Sequence, residues 1–418
     1  MNINIYDDQY EFEEQFEIAR DLQLGFHWNT DCCLNRRLGL SEDKKGAKRA
    51  LIAELLIAHE RRQKISYSRR PGFYSRRKRY CGGAYAYRGV ISGVDELVKA
   101  GYAETWIAPP RPPRKGLQGT QSTLWATDKL IEACSAEAIW PVQFESIWMR
   151  DLQGHTCDYT DDDETRRMRL EIDDINRYIT TFQIDLNIKN ILRTERYLII
   201  PHVSAEAKNS CNLYLPNNSL RLRRVFCRGL FDHGGRLYGP WQNIPSAYRK
   251  RLIINGEPVA EPDFDYLHAQ LLYATIGWSI DKSFDPYRDD EVFARPYGKL
   301  ALLIGVNART TPAAIYALAG AIQKERKEDF LDVSYAASIL RRIKQINDPI
   351  KQFIGSDQGV RLQKIDGDLA IRVIQACMKD GIPVLPVHDS FIVPKRYESR
   401  TNEHMDRELA ETIRRLKP

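Results

Sequence analysis

The stretch PVLPVHDSFIVP (383–394) sets a histidine and an aspartate between two short apolar runs, Pro383 to Val387 and Phe391 to Val393. β-Branched and aromatic residues around so short a polar centre predict a hairpin that carries Asp389 at its reversal. Upstream, RLIINGEPVAEPDFDYLHAQLLYA (251–274) predicts a second hairpin, turning at Asn255-Gly256 and returning through Glu257 to Phe264 with Asp263 near the strand end. A lone turn aspartate ordinarily just bonds nearby backbone amides. Two of them at the ends of hairpins predict an antiparallel sheet that gathers carboxylates 126 positions apart in the chain. Like charges held side by side resist ionisation unless a cation sits between them, and Mg²⁺ (or Mn²⁺) bound through oxygen is the recurrent solution.

Between the two aspartates the pattern is helical. Tyr266 to Trp278 places Leu267, Leu271, Leu272 and Ala274 at core spacing. In RPYGKLALLIGVNA (295–308), Arg295 and Lys299 stand four apart, which puts them on one helix face. Two cations so spaced suit a triphosphate whose charge redistributes during phosphoryl transfer. Pro296 fits a first helical turn, so Arg295 is expected at the helix start.

The first third carries a different signal. RRQKISYSRRPGFYSRRKRY (61–80) holds nine Lys/Arg interleaved with Tyr67, Phe73, Tyr74 and Tyr80, and no acidic residue stands between Glu60 and Asp95. Cations neutralise phosphates and rings stack on bases, so Arg69, Arg70, Arg76, Arg77, Lys78 and Arg79 are candidate nucleic-acid contacts. A helix over 46–62, a second from 87 to Gly101, and strands over 102–108 and 122–130 joined by PPRPPRKGLQGTQ predict a winged-helix-like module over 1–140. Such modules bind DNA or protein.

At 418 residues, 43% hydrophobic and 28% charged, the chain has room for two or three globular domains. No run of 18 apolar residues occurs, and the acidic opening MNINIYDDQYEFEEQ lacks the layout of a signal peptide, so a cytoplasmic protein with no membrane contact is expected. Eight cysteines without C-x-x-C spacing indicate neither a zinc knuckle nor a disulfide framework. The charged segment DDDETRRMRLEIDDINRYI (161–179) reads as a surface helix or connector, and 141–224 as a helical connector or thumb-like region.

Taken in order, Asp263-Phe-Asp-Tyr-Leu-His268, Arg295-x-x-x-Lys299 with Asn307-Ala308 eight residues on, and Val387-His388-Asp389-Ser390 resemble motifs A, B and C of family A DNA polymerases and single-subunit phage-type RNA polymerases. IDGDLAIRVIQ (365–375) resembles the helix leading into motif C, and Asp232-His-Gly-Gly235-Arg236 resembles the Asp-x-x-Gly-Arg signature of the RNA polymerases. The resemblance spans 225–418. It implies an α+β chain in which a polymerase palm, built on an antiparallel sheet with short fingers, follows the N-terminal module. It also implies that Asp263 and Asp389 bind two Mg²⁺ ions, that Lys299, Arg295, His268 and Asn307 meet the nucleotide, and that His388 and Arg236 meet primer or template.

Departures accompany the match. Ser390 stands where the DNA polymerases usually have glutamate, Asn307-Ala308 replaces Tyr-Gly, and Asp265 rivals Asp263. His268 either excludes a ribose hydroxyl by bulk or bonds it, so dNTP and NTP both stay open. The expected activity is DNA-templated nucleotidyl transfer in replication, by a DNA polymerase or primase-polymerase, without proofreading. The expected partners are template DNA, nucleoside triphosphates and a replication helicase or other mobile-element replication proteins. A single-subunit RNA polymerase is the alternative within that class, and a non-catalytic DNA-binding protein on a decayed palm is the alternative outside it.

Overall fold

The computed structural model describes residues 21–418 except 76–77, 110–119, 144, 203–210, 218–219, 282, 290 and 328. The described residues combine helices with several sheets, an α+β architecture. No helix among the described residues is long and apolar enough to cross a membrane.

Two large apolar cores divide the described residues, and a small third cluster of Trp28, Ala53, Ile57, Tyr197 and Ile199 links their segments. The first draws Leu51 and Leu55 from helix Ala47–Glu60, Val90, Val94 and Leu97 from helix Tyr87–Lys99, and Ile65 and Leu124 from strands. Helix Ala47–Glu60, strand Lys64–Tyr67, a short helix Lys78–Cys81, helix Tyr87–Lys99 and strands Ala103–Trp106 and Ser122–Ala126 follow one another in sequence. Lys64–Tyr67 pairs antiparallel with Ser122–Ala126, which pairs with Ala103–Trp106, and Asp21–Gln23 adds in parallel at the other edge. The tip joining the last two strands lies outside the described residues, as do Arg76 and Arg77.

The second core runs without a break from Ile147 to Leu409. It therefore crosses the expected boundary at 224, which falls inside strand Arg223–Cys227. Helix Asp163–Ile179 starts at a reciprocal cap, in which Thr165 N–H donates to Asp162 and Asp162 N–H to the Thr165 hydroxyl, at 2.7 and 2.8 Å. Its Met168, Ile172, Ile175 and Ile179 are buried, each contributing about 2 kcal/mol of apolar burial. That outweighs the solvated charged face, so the segment is a wall of the core and not a surface connector.

A five-stranded antiparallel sheet lies on this core, in the order Leu385–Val387, Ser390–Pro394, Glu257–Ala260, Leu252–Ile254, Ile184–Leu186. Both predicted hairpins are present, and Ile184–Leu186 is recruited from the stretch expected to be a connector. Pro386 occupies the edge strand, where a missing N–H costs nothing. Its carbonyl accepts from Trp241 Nε1 and Gln242 Nε2, both at 2.8 Å, which pins the hairpin from outside the sheet.

Helix Gly359–Lys379 lies across strand Leu230–Tyr238 at very close range. A Cβ on Gly367 would stand 2.1 Å from the Gly235 carbonyl, so only glycine lets the two backbones approach this closely. The approach is fastened by charge: Arg236 Nε donates to Asp366 at 2.7 Å, and Arg224 holds both the Gly235 carbonyl and Asp368.

Candidate active site

The strands Glu257–Ala260 and Ser390–Pro394 pair with Val259 opposite Pro394 and Ala260 opposite Val393. The same register continues past a gap to an isolated bridge between Asp263 and Ser390. Phe391 N–H donates to the Pro262 carbonyl at 2.9 Å and Phe264 N–H to the Asp389 carbonyl at 3.2 Å. Asp263, not Asp265, is thus the aspartate set against the 387–390 reversal. His388 and Asp389 form the two-residue tip, and His388 adopts φ +56° to close it.

The Asp263 carboxyl senses the charge of Asp389. Burial and then the charge of Asp389 push the Asp263 carboxyl up to about 6, while Lys299 pulls in the other direction. That combination is the electrostatic state expected of an acidic pair lacking sufficient counter-charge. A hard divalent cation such as Mg²⁺ fits this donor set of carboxylate oxygens. Among the described residues, three metal-type donors come together only at Asp31, Cys32 and Cys33, an adjacent surface trio in which Arg37 already holds Asp31 at 2.5 Å.

Lys299 comes from helix Arg295–Asn307, and Gly298 beside it explains how that helix reaches the site. A Cβ there would lie 2.0 Å from the Tyr287 carbonyl, so the glycine admits the loop against the helix. Arg295 opens the helix, as Pro296 predicts, but its Nε donates to Asp285 at 2.5 Å and its guanidinium lies 5.5–5.6 Å from the Tyr266 and Tyr287 ring centres. One face of that cation is already committed inside the protein. Lys299 is exposed and makes no hydrogen bond among the described residues. Asn307 donates to the Leu303 carbonyl of its own helix at 2.9 Å.

Arg236 departs from a surface template contact. Its guanidinium turns inward to Asp366, which is 2% exposed, and Nη2 approaches His268 Nε2 at 3.2 Å. His268 Nε2 also lies 3.7 Å from the Asp366 carboxylate. Burial works against ionising Asp366, yet Arg236 and then His268 hold its carboxyl down at about 2. His388 lies against Tyr238, with ring centres 5.8 Å apart, and burial together with Arg236 pushes its imidazole down to about 4. It is therefore neutral at physiological pH.

Three further participants, Arg249, Glu261 and Asp366, are assigned no role by the sequence. Ser390 Oγ lies 3.0 Å from both Glu261 and the Val387 carbonyl, either of which can accept its single proton, and Arg249 Nη2 donates to Glu261 at 3.0 Å. Glu261 is two residues before Asp263 and adds its negative charge to the pair. Asp366 was visible only as part of a helix. Their significance depends on which strands become neighbours.

The basic segment 61–80 divides in two. Arg69 grips Asp95 with both terminal nitrogens at 3.0 Å, and Arg79 is enclosed by Asp158, Asp161, Glu145 and the Tyr159 carbonyl. These two cations anchor the structure and are not free for phosphates. Arg70 and Lys78 are exposed and project from the module.

Comparison with models of known protein families finds no match, and comparison with curated protein sequences finds none either.

Proposed function

We propose that the chain is a DNA-templated nucleotidyl polymerase of replication, a DNA polymerase or primase-polymerase resembling family A enzymes. The observation that carries this is the single strand register that draws Asp263 beside Asp389, with Lys299 close enough to act on their charge. Asp263 and Asp389 would hold Mg²⁺, whose charge stabilises the attacking and leaving oxygens in phosphoryl transfer. Lys299 would neutralise the triphosphate, and helix Arg295–Asn307 would present it across from the carboxylates. His388, neutral at the hairpin tip, would meet the primer terminus as a packing and hydrogen-bonding surface. Arg236 would act mainly by fixing His268 and the strand it stands on, with nucleotide contact left to His268.

The antiparallel sheet with both carboxylates at one end supports a palm, and the interval of only 32 positions from Asp263 to Arg295 supports compact fingers. The succession of helix, strand, two helices and two strands in the first core supports a winged-helix module, with Arg70 and Lys78 meeting the template. The test is primer extension and unprimed synthesis on single-stranded DNA with dNTP or NTP pools and Mg²⁺, using Asp263→Ala, Asp389→Ala and Lys299→Ala as controls. Synthesis that survives Asp389→Ala would remove the site assignment. No synthesis from either pool would leave a DNA-binding protein as the better reading.

A further inference from the structure

Strand Trp28–Thr30 leads through the turn Asp31-Cys32-Cys33 into the short helix Leu34–Arg37. Cysteine is among the most buried residue types, yet both of these are exposed, and no other cysteine among the described residues is. Their sulfurs lie 3.8 Å apart. Two thiolates bound to one Zn²⁺ at about 2.3 Å and at the tetrahedral angle stand about 3.8 Å from each other, so the pair already has the bite of a chelate. A disulfide is the competing use of two thiols. Its Cα atoms ordinarily stand about 4.4–6.8 Å apart, whereas chain neighbours are held at about 3.8 Å, so bonding these two sulfurs would strain the turn.

The third donor is the carboxylate. One Asp31 oxygen and the two sulfurs all fall within 4.8 Å of one another. Arg37 Nη1 donates to Asp31 Oδ2 at 2.5 Å and Cys33 N–H to Oδ1 at 3.1 Å, which fixes the carboxylate beside the thiols and leaves lone-pair capacity on Oδ1. The same two contacts hold the Asp31 carboxyl down at about 2, so it is ionised and ready to ligate. Cys33 and then Asp31 push the Cys32 thiol up, the response of donors crowded together without a cation. With both thiols ionised the trio carries three negative charges, against one positive charge on Arg37, which also serves Glu137 at 2.5 Å. A divalent cation matches the remainder. Mg²⁺ prefers oxygen, so two sulfurs with one carboxylate select a thiophilic ion.

We propose that Asp31, Cys32 and Cys33 form a surface site for Zn²⁺ or a similar thiophilic divalent cation, with water in the fourth position, separate from Asp263 and Asp389. The probe is Co²⁺, titrated into the full-length Asp389→Ala protein kept reduced with a phosphine. Thiolate ligation gives Co²⁺ an intense near-ultraviolet charge-transfer band that a carboxylate site lacks. One equivalent should develop the band, and one equivalent of Zn²⁺ should abolish it by displacement. Cys32→Ser and Cys33→Ser together should remove it. Asp31→Ala should weaken binding about tenfold or more, since even the loss of a group behind a ligand costs that much. Both thiols are exposed, so serine at these positions does not endanger the fold. As a second measure, Zn²⁺ should protect Cys32 and Cys33 of the wild type from alkylation by iodoacetamide, read by peptide mass. No band, a band that persists in the double serine variant, or equal alkylation with and without Zn²⁺ would overturn the proposal, and equal affinity of the Asp31→Ala protein would overturn the part given to the carboxylate. Since no synthesis is measured, a failure here is distinct from a failure of the polymerase reading.

Discussion

Asp389→Asn removes the charge that helps raise the Asp263 carboxyl to about 6 from an ordinary 3.8. With a midpoint near 6, Asp263 is about one-tenth ionised at pH 5 and about nine-tenths at pH 7, so metal affinity should rise about tenfold across that interval as metal displaces the proton. In Asp389→Asn, burial still acts but the repulsion is gone. The midpoint moves down toward the usual carboxylate range, and the step between pH 5 and 7 shrinks while overall affinity falls through loss of a ligand. The same shift makes a stability statement. An acid whose folded pKa lies above its unfolded value binds more protons when folded, so metal-free stability declines as pH rises from about 4 to about 6. Allowing for solvent screening of the exposed carboxylate, Asp263→Asn should stabilise the metal-free protein by about 1 kcal/mol at pH 7. Mn²⁺ titration followed by the free-ion electron paramagnetic resonance signal at pH 5, 6 and 7 measures the first effect, and thermal melting in EDTA the second. Equal Mn²⁺ affinity of the wild type at pH 5 and 7, or an unchanged step in Asp389→Asn, would refute the coupling.

Gly367→Ala should destabilise by about 2 kcal/mol in urea unfolding, because the added methyl meets the Gly235 carbonyl and the helix has to withdraw. Asp366→Asn should cost about 3 kcal/mol at pH 7 by leaving Arg236 buried and unpaired. The wild type should lose that advantage as pH falls from about 4 through about 2, where Asp366 protonates, a convergence that acid titration of both proteins would detect. Glu54, fully buried beneath the His27 and Trp28 amides, is pushed by burial up to about 7. Glu54→Gln should therefore gain stability relative to wild type as pH rises from 5 to 8, read from melting temperatures. On single-stranded or duplex DNA, Lys78→Ala should lower affinity and reduce the salt slope by about 1 without altering the melting temperature. Arg79→Ala should instead lower the melting temperature, since its guanidinium joins the two cores through Asp158 and Asp161.

Local pattern made much of this chain legible in advance. Asn255-Gly256 and the apolar runs around His388-Asp389 dictated two hairpins, and the strands of the second are buried along their whole length. Helical periodicity announced the helices Ala47–Glu60 and Tyr87–Lys99 within a few residues, because spacing of 3.6 is a property of neighbours along the chain. Charge pairing was not legible. Arg69, Arg79, Arg236 and Arg295 look identical to free phosphate-binding cations until the fold supplies Asp95, Asp158, Asp366 and Asp285 as partners. Nothing local distinguishes them from Arg70, Lys78 or Lys299, which received none among the described residues. Likewise Ile184–Leu186 became a sheet edge, and Glu261 joined Ser390, through pairings between remote segments. Sequence alone determines which stretches are strands and helices and which side of each is apolar, since those follow from backbone geometry and residue chemistry. Only the tertiary structure decided which cations are spent on internal carboxylates and which remain exposed, because an ion pair depends on distance in space and not on position in the chain.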